Sequence, residues 1–263
     1  MAFLQCNFHS DTLMRGCSMN VILPQRSHTL IGQQSGRAAA AMPVLYLLHG
    51  MSDDHTIWMR RTSIERYVAP LGIAVVMPDG QRSFYRDMGY GGRFWSFLSE
   101  ELPEIVAGFF PVSRRREDTF VAGLSMGGYG ALKLALKHPD RFAAAASFSG
   151  VTDIAHFTDA NADAGWRQEM RTIFGDAGPQ PGSDDDPFAL ASQAARAPQR
   201  PRLHLECGTE DILYADNVKF RDHLRSFGNC FDLNYIERSG GHTWEFWDVC
   251  IQNALQFMFP KQS

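Results

Sequence analysis

Short apolar runs rich in β-branched residues alternate along this chain with longer segments of helical periodicity. No other feature of the sequence constrains the fold as much, because this alternation is typical of an α/β protein with a mostly parallel sheet. Several runs are apolar at every position, as strands buried on both faces of a sheet must be. The predicted strands are residues 19–23, 44–48, 73–77, 119–122, 144–148, 202–206 and 232–235, and the predicted helices, which flank the sheet, are 95–109, 126–137 and 246–259.

The length of 263 residues, without internal repeats or a linker-like stretch, predicts a single domain that spans 1–263. Two segments interrupt the alternation of strands and helices. Residues 25–41 are polar and rich in Gly and Ala, which indicates a surface loop or hairpin. Residues 152–187 follow a predicted strand end, where open α/β sheets bind their ligands. This second segment is interpreted either as a lid over a binding site or as a plain surface excursion.

The charge of the chain argues against electrostatic binding of nucleic acid or anionic lipid. Lys and Arg number 25 and Asp and Glu number 29, so the formal net charge is −4. The longest apolar stretch, 38–48, contains Pro43 and is shorter than the roughly 18 residues that a membrane helix needs. The first residues lack the basic and apolar regions of a signal peptide, so a cytoplasmic location is predicted. The oligomeric state stays open, and a homo-oligomer is compatible with the sequence.

The sequence carries no recognisable motif for a metal or an organic cofactor. It lacks H-E-x-x-H, a Walker loop and a G-x-G-x-x-G that follows a strand, so neither kind of group is expected. The five cysteines are odd in number and lie far apart without a C-x-x-C pair. This pattern indicates reduced thiols rather than a disulfide framework or a zinc site.

The motif G-x-S-x-G at 123–127 carries the strongest chemical signal in the chain. It lies between a predicted strand and a predicted helix, where a sharp turn presents a serine hydroxyl as a nucleophile. Glycine at both ends of the motif tolerates the crowding of such a turn because it has no Cβ. Ser125 is therefore the predicted nucleophile. The N–H of Met126, at the start of the helix, is predicted to stabilise an oxyanion.

A second oxyanion donor is expected from the loop that follows an early strand. The predicted strand 44–48 runs into His49, Gly50 and Met51, and Gly50 lets the backbone turn inward without a side chain in the way. The N–H of Met51 is the predicted donor. His49 is interpreted as a brace for this loop rather than as a catalytic group.

Chain order narrows the choice of base and acid, because a serine site of this kind runs Ser, acid, His along the chain. Of the histidines after Ser125, His242 follows a Ser-Gly-Gly loop and precedes the final helix, so it is the predicted base. The acid must then lie between the two, at a strand end. Asp211 is favoured over its neighbour Glu210 because the shorter side chain can turn back into the site. The acidic run 184–186 is interpreted as a solvated loop.

Six segments spread over most of the chain carry a family resemblance. They are PVLYLLHGMS at 43–52, SEELP at 99–103, AGLSMGGYGA at 122–131, FSG at 148–150, CGTEDILY at 207–214 and GHTW at 241–244. Together, and in this order, they resemble the putative-esterase branch of the α/β-hydrolases, in particular the tributyrin-esterase-like enzymes. The resemblance implies an α/β-hydrolase fold, with Ser125 as nucleophile, Asp211 as acid, His242 as base, and the amides of Met51 and Met126 as oxyanion donors.

The same resemblance implies a serine carboxylesterase that hydrolyses short-chain acyl esters through an acyl-enzyme intermediate, without a cofactor. S-formylglutathione hydrolase, feruloyl or acetyl esterase and acyltransferase activities occur among such relatives and stand as alternatives. After His49 and Gly50 the chain reads MSDDHTIW, which departs from the LTC of formylglutathione hydrolases and makes a glutathione thioester a weaker expectation. A non-catalytic binding protein is the least favoured alternative, because every part of the site is present.

Overall fold

Eight strands form one sheet, which confirms the predicted α/β class. They are β1 (Ala2–Ser10), β2 (Arg15–Leu23), β3 (Val44–Leu48), β4 (Ala74–Pro78), β5 (Thr119–Leu124), β6 (Ala144–Phe148), β7 (Arg202–Gly208) and β8 (Leu233–Arg238). The strand order is β1-β2-β4-β3-β5-β6-β7-β8. Strands β3 to β8 run parallel, and β2 is antiparallel to both β1 and β4. The computed structural model from which these elements are taken describes residues 1–25, 27, 29, 31, 41–157 and 163–260.

Helices cover both faces of this sheet. In the described chain they are α1 (Ile57–Arg61), α2 (Ile64–Val68), α3 (Phe94–Ser96), α4 (Leu102–Phe109), α5 (Met126–Lys137), α6 (Ile154–Phe157), α7 (Ala164–Phe174), α8 (Pro187–Ala194), α9 (Tyr214–Ser226) and α10 (Trp244–Met258). A π-helix (Phe97–Glu101) joins α3 to α4, and short 3₁₀-helices span Arg116–Asp118 and Gly228–Cys230. Buried side chains of α1, α2 and α10 pack on one face of the sheet, and those of α3 to α9 pack on the other.

Strand β3 shows why the central strands are apolar at every position. Val44, Tyr46 and Leu48 pack into the core on one face of the sheet. Leu45 and Leu47 pack into the core on the other face. All five side chains are at most 5% exposed. Because side chains alternate between faces and helices cover both, each position of the strand needs an apolar residue.

The sequence prediction misses β1 and begins β2 four residues late. The two strands pair from Ala2 with Leu23 to Ser10 with Arg15, at the edge of the sheet. The first side chains of β1 alternate between partly buried and exposed positions. The strand therefore lacks the continuous apolar run that identifies the inner strands, because an edge strand need not be buried on both faces.

The predicted helix 95–109 is interrupted in the structure. The N–H of Leu102 bonds to the carbonyl of Phe97, five residues back, which closes the π-helix between α3 and α4. Pro103 follows at once and has no N–H, so the ordinary helical bond to Ser99 cannot form there. By contrast, α5 has its predicted bounds, and α10 begins two residues before its predicted start.

Most of the predicted loop 25–41 lies outside the described residues. Of the segment 152–187, the structure describes α6, α7 and the chain that leads to α8. Met170, Ile173 and Phe174 of α7 are buried. The ring of Phe174 packs against Phe84, with 5.6 Å between their centroids. Helix α7 is thus fixed on the loop that follows β4.

The acidic run 184–186 is a loop, as the sequence suggested, but only Asp184 is exposed to solvent. Oδ1 of Asp185 lies 2.6 Å from Nζ of Lys133, a residue of α5 that is only 2% exposed. The hydroxyl of Tyr129 donates to the Asp185 carbonyl over 3.0 Å. Asp186 accepts a backbone N–H in the first turn of α8 and so caps that helix. A buried ammonium requires an anionic partner, which explains why a carboxylate stands here.

The five cysteines are all free thiols. Cys207 and Cys250 are fully buried, as expected for small apolar side chains. Burial raises the pKa of the Cys207 thiol to about 12. That thiol therefore stays protonated at neutral pH. No helix within the described ranges is both long and apolar enough to cross a membrane.

Replacing Asp185 with Asn should lower the free energy of unfolding by about 3 kcal/mol, because Lys133 would keep a buried charge without an anionic partner. The control Asp184→Asn removes only the exposed pair with Lys137 and should cost less than about 1 kcal/mol. Urea unfolding at pH 7 measures both values. Equal stability of the two variants would show that the buried pair does not contribute.

The pH dependence of the same comparison follows from the pKa of Asp185. Burial acts to raise that pKa, but the charge and hydrogen bond of Lys133 outweigh burial and lower it. A carboxylate with a lowered pKa stabilises the fold above its unfolded-state pKa and ceases to do so as the pH falls. The difference between the wild type and Asp185→Asn should therefore be full above about pH 4 and shrink below it.

Candidate active site

Ser125 lies on a sharp turn between β5 and α5. Its φ of 52° and ψ of −118° fall outside the regions that L-residues ordinarily adopt. The turn is held from both sides, because the Ser125 N–H donates to the Phe148 carbonyl and the Ser125 carbonyl accepts from the N–H of Tyr129. A strained residue of this kind persists only where its surroundings fix it. The hydroxyl is thereby presented at the carboxyl edge of the sheet.

Two glycines make this turn sterically feasible. A Cβ at Gly123 would lie 2.4 Å from the carbonyl oxygen of Gly127. A Cβ at Gly127 would lie 2.5 Å from the Leu48 oxygen and 2.7 Å from the His49 oxygen. All three distances are shorter than the contacts that real Cβ atoms make. Gly127 therefore lets the start of α5 approach the end of β3, and Gly123 lets the end of β5 approach the first turn of α5.

The structure brings Ser125, His242 and Asp211 together in one hydrogen-bonded chain. Nε2 of His242 lies 3.0 Å from Oγ of Ser125. Nδ1 of His242 lies 2.9 Å and 3.1 Å from the two carboxylate oxygens of Asp211. A proton on Nδ1 donates to the carboxylate, which leaves Nε2 free to accept from the serine hydroxyl. These residues come from three separate loops at the carboxyl edge of the sheet.

Asp211 rather than Glu210 faces the histidine. The Asp211 side chain is buried and also accepts the N–H of Leu213 over 2.8 Å. The Glu210 side chain is exposed and accepts the N–H of Gly240, in the loop before His242. Glu210 thus holds the loop that carries the histidine, whereas Asp211 contacts the imidazole itself.

The environment of Asp211 favours its ionised form. Burial acts to raise the pKa of this carboxyl group, but the hydrogen bond and charge of His242 and the N–H of Leu213 outweigh burial and lower it. The Ser149 hydroxyl also lowers this pKa as a hydrogen-bond donor to the carboxylate. Ser149 in turn accepts Nε1–H of Trp247 over 3.1 Å. The Trp247 ring meets the His242 ring edge to face, with 4.8 Å between their centroids.

Both predicted oxyanion donors lie beside the serine. A Cβ at Gly50 would stand 3.8 Å from Cβ of Ser125, so the loop with Met51 passes directly against it. Met126 begins α5, and N–H groups in the first turn of a helix have no partner within the helix. Among the described residues, neither the Met51 nor the Met126 N–H donates a hydrogen bond. Two unpaired amide donors therefore flank Ser125.

His49 fixes the loop that carries Met51. The residue is 1% exposed, and its Nε2 accepts the N–H of Gly80 over 2.9 Å. Because Nε2 accepts, Nδ1 carries the proton and donates to the Gly50 carbonyl over 2.7 Å. Both ring nitrogens are engaged in backbone hydrogen bonds, which agrees with the role of a brace.

Arg82 connects the same loop to α7. Its Nη1 donates to the Met51 carbonyl over 3.3 Å, and its Nη2 donates to Glu169 of α7 over 2.7 Å. Its Nε pairs with the second carboxylate oxygen of Glu169. Part of the segment 152–187 is thus tied to the backbone next to a predicted oxyanion donor.

Sequence reasoning assigned no role to Ser149, Trp247 and Arg82. Ser149 lies in FSG, one of the six segments that carry the family resemblance, so the sequence did mark this position. Trp247 and Arg82 act through contacts with residues distant in the sequence, which spacing alone does not reveal. In the described part of the chain, no group of three or more His, Cys, Asp or Glu side chains could hold a metal ion.

Comparison with known proteins identifies the family of this chain. The family model described as "Putative esterase" matches residues 10–258. The chain belongs to the putative-esterase family. This esterase is 32% identical to the acetyl esterase of Caldicellulosiruptor saccharolyticus, with 98% of both chains covered. The resemblance recognised in the sequence is thereby confirmed.

Solved structures give the same result. The fluorophosphonate-binding serine hydrolase F (FphF) of Staphylococcus aureus matches this esterase with a TM-score of 0.87 and 34% identity, over 99% of both chains. The S-formylglutathione hydrolase of the same organism matches with a TM-score of 0.82 and 34% identity, over 98% of both. The esterase is an ester-hydrolysing enzyme with the α/β-hydrolase fold. Because these relatives are named for different substrates, membership in the family does not identify the ester that this enzyme hydrolyses.

Replacing Gly123 with Ala should destabilise the esterase by about 2 kcal/mol, since the new Cβ would force backbone away from the Gly127 carbonyl. The control Gly108→Ala, on α4, places a Cβ with nothing within 4 Å and should stabilise the protein by about 0.5 kcal/mol. Thermal unfolding of both variants measures these changes. A Gly123→Ala protein with an unchanged Tm would contradict the steric argument.

Proposed function

We propose that this protein is a serine carboxylesterase that hydrolyses short-chain acyl esters, with Ser125 as nucleophile, His242 as general base and Asp211 as the acid that orients the base. The observation that carries the proposal is the continuous hydrogen-bonded chain from the Ser125 hydroxyl through His242 to the buried Asp211. A serine hydroxyl becomes an effective nucleophile when a base accepts its proton and a third group holds that base.

Acyl transfer takes two steps in this proposal. Nε2 of His242 takes the proton as Oγ of Ser125 attacks the ester carbonyl, and the tetrahedral intermediate then collapses as the imidazolium protonates the departing alcohol. Water repeats the sequence against the acyl-enzyme and releases the carboxylic acid. The ionised Asp211 stabilises the imidazolium in both steps without accepting its proton. No cofactor takes part.

The N–H groups of Met51 and Met126 form the proposed oxyanion hole. Both are unpaired and adjacent to Ser125, so they can donate to the carbonyl oxygen as it gains negative charge. Loss of one such donor costs about 2.7 to 4 kcal/mol of transition-state stabilisation in serine hydrolases. The backbone that holds these amides is therefore as important to the rate as the triad side chains.

Short acyl esters are the substrate class that the comparisons favour. The acetyl esterase relative covers 98% of this chain, and an acetyl group is a short acyl group. An S-formylglutathione hydrolase matches the chain over a similar share, although the sequence after Gly50 differs from the LTC of such enzymes. Thioester hydrolysis, feruloyl ester hydrolysis and transfer to an added alcohol are therefore included as arms of the test.

The proposal extends to α7, within the segment 152–187, as a helix that borders the substrate site. It is supported by the link from Glu169 through Arg82 to the Met51 carbonyl. An exposed ion pair of this kind contributes little to stability, typically below about 1 kcal/mol. In this proposal the Arg82–Glu169 pair instead holds the Met51 peptide group, beside the oxyanion hole, in one orientation.

The test is the initial rate on p-nitrophenyl acetate, butyrate and octanoate at pH 7.5, with S-formylglutathione, methyl ferulate and an alcohol acceptor as further arms. Ser125→Ala should lower the rate by a factor on the order of 10⁵. The control Ser226→Ala changes an exposed serine of α9 and should leave the rate unchanged. The wild type should hydrolyse acetate and butyrate faster than octanoate.

Each assay arm has an outcome that would contradict the proposal. Full activity of Ser125→Ala would remove that residue as the nucleophile. Fastest turnover of octanoate would overturn the preference for short chains. Turnover of S-formylglutathione or methyl ferulate alone would replace the proposed substrate class, and transfer to the alcohol in excess of hydrolysis would make the enzyme an acyltransferase.

A further inference from the structure

A cavity of about 470 Å³ opens at the edge of the sheet opposite Ser125. Its lining includes Val44 and Thr119, the first residues of β3 and β5. The other ends of these two strands lead to Gly50 and Ser125. Since a strand of five residues spans roughly 17 Å, the cavity is separate from the catalytic serine. Its volume lies within the range of small-molecule sites.

Two polar side chains in the lining have no protein partner. Tyr46 is 5% exposed, and its hydroxyl makes no hydrogen bond within the described residues. The guanidinium of Arg141 makes no hydrogen bond or ion pair there either. The Tyr46 hydroxyl keeps solvent contact within the cavity, where water or a ligand can bond to it. The positive charge that acts most strongly on the Tyr46 hydroxyl is that of Arg141, so the two groups lie near each other.

Among the described residues, no carboxylate of the lining forms an ion pair with Arg141. Arg114 and Glu104 satisfy each other through two hydrogen bonds, of 2.9 Å and 2.7 Å. Glu100 is exposed to water. Arg141 is thus the one lining cation, among the residues described, that lacks a carboxylate partner. An arginine in this state is suited to a carboxylate, which it can bind through two parallel hydrogen bonds.

The rest of the cavity wall suits an apolar body. Val44, Pro103, Ala107, Val112 and Phe142 all contribute to the lining. A ligand that places a single negative charge on Arg141 and a hydrocarbon chain on these side chains would satisfy both parts of the wall. Glu100 and Glu104, in the same lining, disfavour a ligand with a second negative charge.

We propose that this cavity is a second ligand site, which binds a small organic monocarboxylate through Arg141 and the Tyr46 hydroxyl. The site is independent of Ser125 and of the ester hydrolysed there. A ligand bound at this position bridges the π-helix region, through Ser99 and Pro103, to the amino ends of β3 and β5. A ligand that binds only the folded protein stabilises it by RT ln(1 + [L]/Kd), so the Tm should rise with ligand concentration.

Isothermal titration with hexanoate tests the proposal. The wild type should bind hexanoate in a saturable manner, and Arg141→Gln should weaken binding about tenfold or more, because a charge-assisted hydrogen bond is lost. Tyr46→Phe should weaken it several-fold. The control Arg225→Gln, an exposed arginine of α9, should leave the affinity unchanged. Hexan-1-ol, which has the same chain without the charge, should not bind detectably.

Several outcomes would overturn this second site. If hexanoate bound Arg141→Gln as tightly as it binds the wild type, its site would lie elsewhere, for example at Ser125. Absence of saturable binding below about 10 mM would exclude a site of useful affinity. Equal binding of hexan-1-ol would show that the cavity does not recognise charge. Arg141→Gln should keep the wild-type Tm without ligand, since its guanidinium makes no hydrogen bond or ion pair among the described residues. A loss of affinity then cannot be ascribed to unfolding.

Discussion

The close approach of α5 to the end of β3 is the contact on which the catalytic edge depends. At Gly127 the backbone passes so near the Leu48 and His49 carbonyls that no Cβ fits between them. This approach places the strained Ser125 at the sheet edge and sets the Met126 amide beside it. It also brings the loop with Gly50 against the serine. One backbone packing thus positions the proposed nucleophile together with both proposed oxyanion donors.

The base and the acid reach this point from other parts of the sheet. Asp211 follows β7, and His242 precedes α10. Contacts outside the triad act on both residues. The Ser149 hydroxyl contributes to lowering the Asp211 pKa, and Trp247 packs on the His242 ring. Burial without these hydrogen bonds would favour the neutral carboxyl group. The electrostatic state of the site is therefore a property of several elements at once.

The sequence predicted the buried central strands and helices better than the edge strand or the pairing of charged side chains. Strand β3 and helix α5 have their predicted bounds, because continuous apolar burial and a glycine turn are local signals. Strand β1 was not predicted, because an edge strand need not contain a continuous apolar run. The acidic run 184–186 was misread because Lys133, which pairs with Asp185, lies 52 residues away in the chain. Whether a charge is solvated or paired depends on partners that local sequence does not contain.

The sequence by itself determined the turn around Ser125, because the two glycines and the strand and helix on either side act over a few residues. It also limited the base and the acid to a few residues by chain order. The sequence favoured Asp211 over its neighbour Glu210, but only the tertiary structure shows which of the two carboxylates contacts the imidazole. The Glu210 N–H bonds to Gly240 and the Asp211 N–H to Gly208, so the turn directs one carboxylate to the loop and the other to the imidazole. That outcome depends on hydrogen bonds between segments 30 residues apart, which no local pattern encodes.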